Sequence, residues 1–481
     1  MDQTKAFEAF AQAMPGAEIY PDSWIAEEQA FAAWADGEDV LAVCAGSGLC
    51  DALSGGKQAG GFSVYPMDHK NRLAVNGRLA FTKPVAFGSD AKTFGLGDRL
   101  GLANYAHLQT VKKHNVKPVL AQQSMRELVL TGRTYDEVLD AACWAVVKAG
   151  WRGGFGADGD HLKKEEDIRD ALEKGYSMIT LDCSENLTAP PADEAGLAAA
   201  YASIGSAKTA AWEKEYIGNP LAAKLGAPID RPALMRAAVA FSEAIPFISH
   251  IYHNVILPVG RRIDFEVSVD ETPFETEPAT HFFVANEIKK LGVAADSMAP
   301  RFAGEFQKGI DYIGSVEEFY ECYKSHCAIA EEFDYRLSVH SGSDKFSIYP
   351  AVAELSGGRF HVKTAGTSWL EAVRVIAENE PDLYRKLHQC ALDNLEEAKK
   401  LYVVLCDPAK IKPLDEVSDK DLGNYLKDED IHARQLLHIT YGLMFDNGYK
   451  EPIYKALKKH RKAYEKVLDA HIGKHIGLLG C

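Results

Sequence analysis

The chain has 481 residues, 47% hydrophobic and 25% charged, the balance of an ordinary globular protein with room for more than one domain. Its formal net charge of −16 disfavours sequence-independent binding to DNA or RNA, which needs clustered Lys and Arg. No apolar run reaches membrane-spanning length, the N-terminal MDQTKAFEAFAQAMPG lacks the apolar core of a secretory signal, and the 9 scattered Cys form no C-x-x-C pair, so a reducing cytoplasm is the expected setting.

Residues 1–90 read as an α+β lobe, with a helix from Ala6 to Met14 and a strand from Asp39 to Cys44. Gly46-Ser47-Gly48 follows that strand but lacks both a dinucleotide fingerprint and a Walker Lys, so it reads as a turn. A βα rhythm then begins. The strand candidates are Thr93–Gly97, Pro118–Gln122, Gly154–Asp158, Met178–Asp182, Ile263–Val269, Ala295–Ala299, Arg336–His340 and Phe360–Thr364. Helical patterns lie between most of them, as at Tyr135–Ala149, Glu165–Lys174, Thr280–Leu291, Val316–Phe333 and Ser368–Glu378. Eight such units predict an α/β fold, a (β/α)8 TIM-like barrel over residues 91–400, with an open doubly wound sheet as the alternative. The longest gap, 186–257, is rich in Ala, Glu and Lys and reads as a helical insertion, a candidate lid or homo-oligomer contact. Residues 401–481 read as a helical C-terminal extension.

In such a barrel the chemistry collects at the C-terminal ends of the strands. GGFGADGDH (153–161) places Asp158 and Asp160 on one face of the third strand, with His161 directly after it. Strand five alternates so that Asp264, Glu266, Ser268 and Asp270 face the lumen, an acidic face that is costly to bury without partners. Strand seven puts Ser338 and His340 inward and runs into Ser341-Gly342-Ser343-Asp344-Lys345. Strand eight puts His361 and Lys363 inward and runs into Thr364-Ala365-Gly366-Thr367-Ser368. Loops rich in Ser, Thr and Gly at a helix start, near Lys, suit an anion, and Arg301 at the end of strand six adds positive charge. A small anionic sugar is therefore the expected partner. His161 and His340 are the candidate metal ligands, with Glu305 or Gln307 as a third. Arg434 and His438, four apart on a late helix, either reach over the site or form a helix-surface pair.

Long motifs then carry a resemblance: GLGDRLGLA (95–103), AQQSMRELVLTGRTY (121–135), GFGADGDHLK (154–163), MITLDCSE (178–185), APRFAGEFQKGIDYIG (299–314), LSVHSGSDKFSIYP (337–350), HVKTAGTSWLEA (361–372) and ARQLLHITYG (433–442). Over residues 60–445 the chain resembles the tagaturonate epimerase family. The resemblance implies a metal-dependent enzyme that interconverts D-tagaturonate and D-fructuronate, some members also accepting neutral ketohexoses. Inversion then falls at C4, whose proton the C2 ketone does not acidify. With no dinucleotide fingerprint for a transient oxidation, retro-aldol cleavage of C3–C4 and re-addition is the expected route. Asp160 and Glu266 are the expected acid/base pair. His161 and His340, with Gln307 third, are expected to hold a divalent cation, Zn, Mn, Ni or Co. The substrate is expected to rest on Gln123, Arg301, Ser341, Gly342, Ser343, Lys345, Lys363, Gly366 and Thr367. A class II aldolase, a metal-dependent sugar isomerase and a non-catalytic sugar-acid binding protein are the rival readings.

Overall fold

A computed structural model describes every residue except Pro273. An antiparallel sheet near the N-terminus is built from β1 (Glu18–Ile19), β2 (Ala30–Ala35), β3 (Glu38–Cys44), β4 (Lys57–Ala59) and β5 (Phe62–Pro66), in the order β1-β2-β3-β5-β4. Eight further strands are parallel and close into a barrel: β6 (Lys92–Leu96), β7 (Lys117–Gln122), β8 (Gly156–Leu162), β9 (Met178–Asp182), β10 (Asp264–Val269), β11 (Ser297–Pro300), β12 (Arg336–Val339) and β13 (Phe360–Thr364). The expected (β/α)8 barrel is thus present and closed, and the chain adds an antiparallel sheet and further helices. The open doubly wound alternative is excluded by closure.

The chain divides into two compact units. The first comprises residues 1–85, 96–157 and 366–474. Its antiparallel sheet alternates side chains between two apolar layers. On one face Phe31 and Phe62 pack edge-on against Phe10 of the helix Gln3–Ala13, with ring centroids 5.1 and 5.3 Å apart. That helix starts earlier than expected because the Asp2 carboxylate accepts from Lys5 N and caps it. On the other face Leu41 and Val43 meet Trp144 and Val147 of the helix Tyr135–Ala149. That helix has a full capping box, Thr134 with Glu137, and ends on Gly150 in the left-handed conformation. Gly46-Ser47-Gly48 is indeed a turn, Ser47 capping a short 3-10 helix. The late helices share one apolar core, which includes Trp369, Tyr384, Leu436, Tyr441 and Leu468.

The second unit comprises residues 86–95, 158–365 and 475–481. Its strands β8 to β13 carry the acidic and basic residues singled out above. The insertion folds as successive helices, Glu194–Ser203, Ser206–Tyr216, Pro220–Lys224, Arg231–Phe241 and Ala244–Ile251. It docks on the helix Pro278–Lys290 through Trp212 and Tyr216, whose rings lie 5.1 and 5.0 Å from Phe283, and through a Tyr216–Glu287 hydrogen bond of 2.6 Å. At the N-terminal end of the strands, Asp264 accepts from Phe87 N and Gly88 N at 2.8 and 2.7 Å and pairs with the buried Arg336 at 3.5 Å. Among the described residues no single helix is long and apolar enough to cross a membrane.

Candidate active site

The third barrel strand departs from expectation in a way that matters. It runs Gly156–Leu162 and includes His161, where a strand of Gly154–Asp158 with His161 beyond its end was expected. Its pairing with β9 slips between Gly159 and Leu162, and His161 sits at φ +54°. This is a bulge, one extra residue that turns successive side chains to the same face. Asp160 and His161, neighbours in sequence, can therefore serve one site, at the cost of a left-handed non-glycine residue. Gly159 leaves no room for a side chain beside the bulge: a Cβ there would meet the Leu162 and Ile179 side chains at 2.9 and 3.1 Å and Ala171 of the helix Glu165–Lys174 at 3.3 Å.

Lys363, on β13, is the centre of the lumen. Its ammonium lies 2.7 Å from Asp158, 2.7 Å from Asp160 and 3.0 Å from Glu266, and also donates to Thr180 Oγ1. All four side chains around it are buried. Burial opposes its charge, but the three carboxylates outweigh that and hold its pKa well above the usual lysine value. Burial likewise opposes ionisation of Asp160 and Glu266, yet Lys363 with His161 and His340 keeps Asp160 below, and Lys363 with His340 keeps Glu266 well below, the usual carboxylate range. Asp158 differs. Burial, with the repulsion of Asp160 and Glu266, pushes it up to about 6 against the pull of Lys363.

A second cluster adjoins this one through His340. His340 Nε2 lies 2.7 Å from Glu266 Oε1 and its Nδ1 lies 2.9 Å from Asp270 Oδ1. The ring of His161 stands edge-on to that of His340, centroids 4.8 Å apart, and its Nδ1 lies 3.3 Å from Asp182. His161, His340 and Asp270 offer ligand atoms all within 4.8 Å of one another, as do His161, Asp182 and Glu271. Burial opposes protonation of both imidazoles. Asp160 and Asp182 nevertheless drive His161 up to about 10, and Asp270 and Glu266 raise His340. Burial is likewise overcome at Asp182, which His161 holds down at about 2.

The donor set fits a divalent cation. Three buried carboxylates (Asp158, Asp160, Glu266) surround one buried lysine, while the buried Asp182 and the half-buried Asp270 pair with His161 and His340, with Lys163 reaching Asp182 at 3.7 Å from the rim. Each candidate imidazole has a carboxylate neighbour, the arrangement that orients a ligating histidine. Asp270, not selected from the sequence as a ligand, shares the Asp264–Glu266–Ser268 face. That parity was the available signal.

The other expected site residues are placed as follows. Lys345 is wholly buried and donates to the carbonyls of Gln307, Ile310 and Ser343 at 2.8, 2.6 and 3.0 Å. Gln307 is buried in the loop that Lys345 grips. Arg301 donates to the Thr272 carbonyl and approaches Glu305 at 4.0 Å. Ser341 and Asp344 adopt positive φ, and Gly342 N donates to the Lys363 carbonyl at 2.9 Å, so close that a Cβ on Gly342 would meet Val362 at 2.6 Å. Ser343 is buried in the same loop. His361 lies deeper, its Nδ1 2.8 Å from Thr93 Oγ1, and burial lowers its pKa to about 3. In the first unit, the Gln123 amide donates to Thr131 and accepts from Arg133, and Gly366 and Thr367 begin the helix Thr367–Asn379. Arg434 and His438 are not a helix-surface pair: both are buried, and Arg434 donates to the Leu426 carbonyl at 2.6 Å.

Comparison with known proteins gives one consistent result. A family model described as tagaturonate epimerase matches residues 38–479. The chain is 38% identical over 479 residues to a protein of Thermotoga maritima named tagaturonate/fructuronate epimerase, covering 96% of this chain and 97% of that one. It is 44% identical, with a TM-score of 0.94 over 99% of both chains, to crystal structures of the fructuronate-tagaturonate epimerase UxaE from Cohnella laeviribosi, native and in complex with glycerol.

Proposed function

The chain belongs to the tagaturonate epimerase family and is a carbohydrate epimerase, and we propose that it inverts C4 of a keto-hexuronate, D-tagaturonate to D-fructuronate, by metal-assisted cleavage and re-formation of the C3–C4 bond. The observation that carries this reading is the meeting of Asp160 and Glu266, from two different strands, at one ammonium, each within 3.0 Å of Lys363 Nζ. Two ionised carboxylates joined by a hydrogen-bonded cation form a two-sided proton system. One carboxylate takes the C4 hydroxyl proton as C3–C4 breaks, leaving a three-carbon enediolate and an aldehyde. The aldehyde turns over, C3–C4 re-forms on its other face, and the new C4 alkoxide takes a proton from the opposite side. Lys363 links the two carboxylates and passes the proton between them. The reverse reaction exchanges their roles.

His161, His340 and Asp270 are the residues that would hold a divalent cation, and their mixed N and O donors suit Zn, Mn, Ni or Co. Such a cation supplies Lewis-acid stabilisation of the negative oxygens formed on cleavage. Glu266, hydrogen-bonded to His340, fixes that ring's orientation as well as carrying a proton. Lys345 serves by ordering the loops at the site, through its three carbonyl contacts.

The test is incubation of the purified protein with each hexuronate, with and without a chelator, followed by NMR. Interconversion that the chelator stops supports the reading. Stoichiometric release of three-carbon products would make the protein an aldolase, and binding without turnover a sugar-acid binding protein.

A further inference from the structure

We infer that Asp158 and Thr180 form a holding place for the C4 hydroxyl proton while the cleaved aldehyde turns, Thr180 relaying the proton from Glu266 and Lys363 returning it by way of Asp160. The inference rests on the C4-epimerase reading above and adds to it two residues that act through the acid/base pair.

The strands set the geometry. Asp158 and Asp160 both reach Lys363, but Asp158 lies two residues further from the C-terminal end of β8, in register with Met178 of β9. Thr180 is two residues further along β9, in register with Glu266 of β10. Its hydroxyl therefore stands between a deep carboxylate and a shallower one. Thr180 Oγ1 lies 2.9 and 3.0 Å from the two carboxylate oxygens of Asp158 and 3.2 Å from Glu266 Oε1. All three side chains are buried.

A count of protons shows what the hydroxyl can do. Lys363 has three to donate and four acceptors in reach: Asp158, Asp160, Glu266 and Thr180. Thr180 has one, and two carboxylates to which it can donate. A hydroxyl that accepts from one neighbour and donates to another passes a proton along. Glu266, once it has taken the C4 hydroxyl proton, donates to Thr180 Oγ1, and the proton already on Thr180 moves to Asp158. For the return, Lys363 gives a proton to Asp160 and takes one from Asp158, each 2.7 Å away, and Asp160 protonates the new C4 alkoxide. The hydroxyl and the ammonium each gain one proton and lose one. The three carboxylates end ionised, as they began.

The holding place has a chemical reason. Between cleavage and re-formation the three-carbon enediolate is a base. A proton kept on Glu266 can be taken up at C3. The products are then a ketotriose and a three-carbon 2-hydroxy-3-oxo acid, which together account for every atom of the substrate. A proton on Asp158 waits deeper in the lumen. Burial and the neighbouring carboxylates favour it there, pushing the Asp158 pKa up to about 6 against the pull of Lys363.

The experiment compares metal-loaded wild type, Thr180→Val, Thr180→Ser, Asp158→Asn and the Thr180→Val, Asp158→Asn double variant on tagaturonate. Epimer and three-carbon products are read by NMR, with metal content and melting temperature alongside. For Thr180→Val the inference expects kcat to fall about 10²-fold with KM within about 3-fold, and the share of three-carbon products to rise. Thr180→Ser, which keeps the hydroxyl, should retain most of the activity and the wild-type product share. Asp158→Asn should show both effects of Thr180→Val, and the double variant should fall no further than the worse single one, because both interrupt one route. Near-wild-type kcat in Thr180→Val, an unchanged product share, or losses that multiply in the double variant overturn the inference while leaving the epimerase reading intact. If Thr180→Val does not fold, kcat and product share in Asp158→Asn and Thr180→Ser decide in the same way. A wild-type protein that converts neither hexuronate overturns the underlying reading, and this inference with it.

Discussion

Glu266 Oε1 lies 2.7 Å from His340 Nε2 and 3.0 Å from Lys363 Nζ, so one carboxylate belongs at once to the proton system and to the candidate cation site. Asp160 has the same double membership through Lys363 and the neighbouring His161. The predictions below separate these roles.

Glu266→Gln and Asp160→Asn keep shape while removing the proton acceptor. Each is expected to lower epimerisation about 10²- to 10⁴-fold, the usual contribution of a positioned acid or base. Turnover by NMR, alongside metal content and the melting curve, checks this. Near-wild-type turnover in either variant removes that residue from the mechanism.

The cation is expected to depend on Asp270 more than on Gln307. Asp270→Ala should lower bound metal about 10-fold or more at a fixed free concentration, whereas Gln307→Ala should leave it nearly unchanged. Metal analysis after dialysis gives the answer. The opposite ranking would restore Gln307 as the third ligand. Chelation should abolish activity, and re-addition of Zn, Mn, Ni or Co should restore it.

Acid should destabilise the second unit through a buried histidine pair. His281 Nδ1 lies 2.7 Å from His326 Nδ1, and burial lowers His281 well below the usual histidine value and His326 to about 3. The unfolded chain takes up these protons as pH falls through about 6.5, and the folded one does not, so stability is present above that pH and declines below it. Each histidine costs about 2 kcal/mol by pH 5. Denaturant titrations of wild type and of a His281→Gln, His326→Leu variant at pH 8 and pH 5 test this. An unchanged pH dependence in the variant would contradict it.

At the other end of the strands, Asp264→Ala leaves Arg336 buried opposite an empty position and frees two main-chain N–H groups. The expected loss is about 3–5 kcal/mol. Asp264→Leu combined with Arg336→Met should recover part of it, and the melting temperatures of the three proteins measure both effects.

Much of this was legible from side-chain alternation. Met178–Asp182 and Phe360–Thr364 are legible to the residue, the first as a short apolar run and the second as a period-two alternation, each bounded by turn residues, and the acidic parity of Asp264, Glu266, Ser268 and Asp270 is visible directly. The bulge at His161 was not, since period-two reasoning assumes no inserted residue, and nothing local marks one in GADGDH. The partners of Lys363 and Lys345 also escaped. A lysine after a strand looks alike whether it meets substrate, three carboxylates or three carbonyls, and only the long-range pairing of β8, β10 and β13 decides among them.

The central claim, inversion by C3–C4 cleavage, is tested most directly by running the reaction in D2O with tagaturonate and reading the C4 position of the fructuronate formed. Cleavage and re-addition never break the C4–H bond, so the product should carry protium at C4 throughout the approach to equilibrium. Deuterium entering C4 at the rate of inversion would show direct deprotonation of that carbon and would contradict the account.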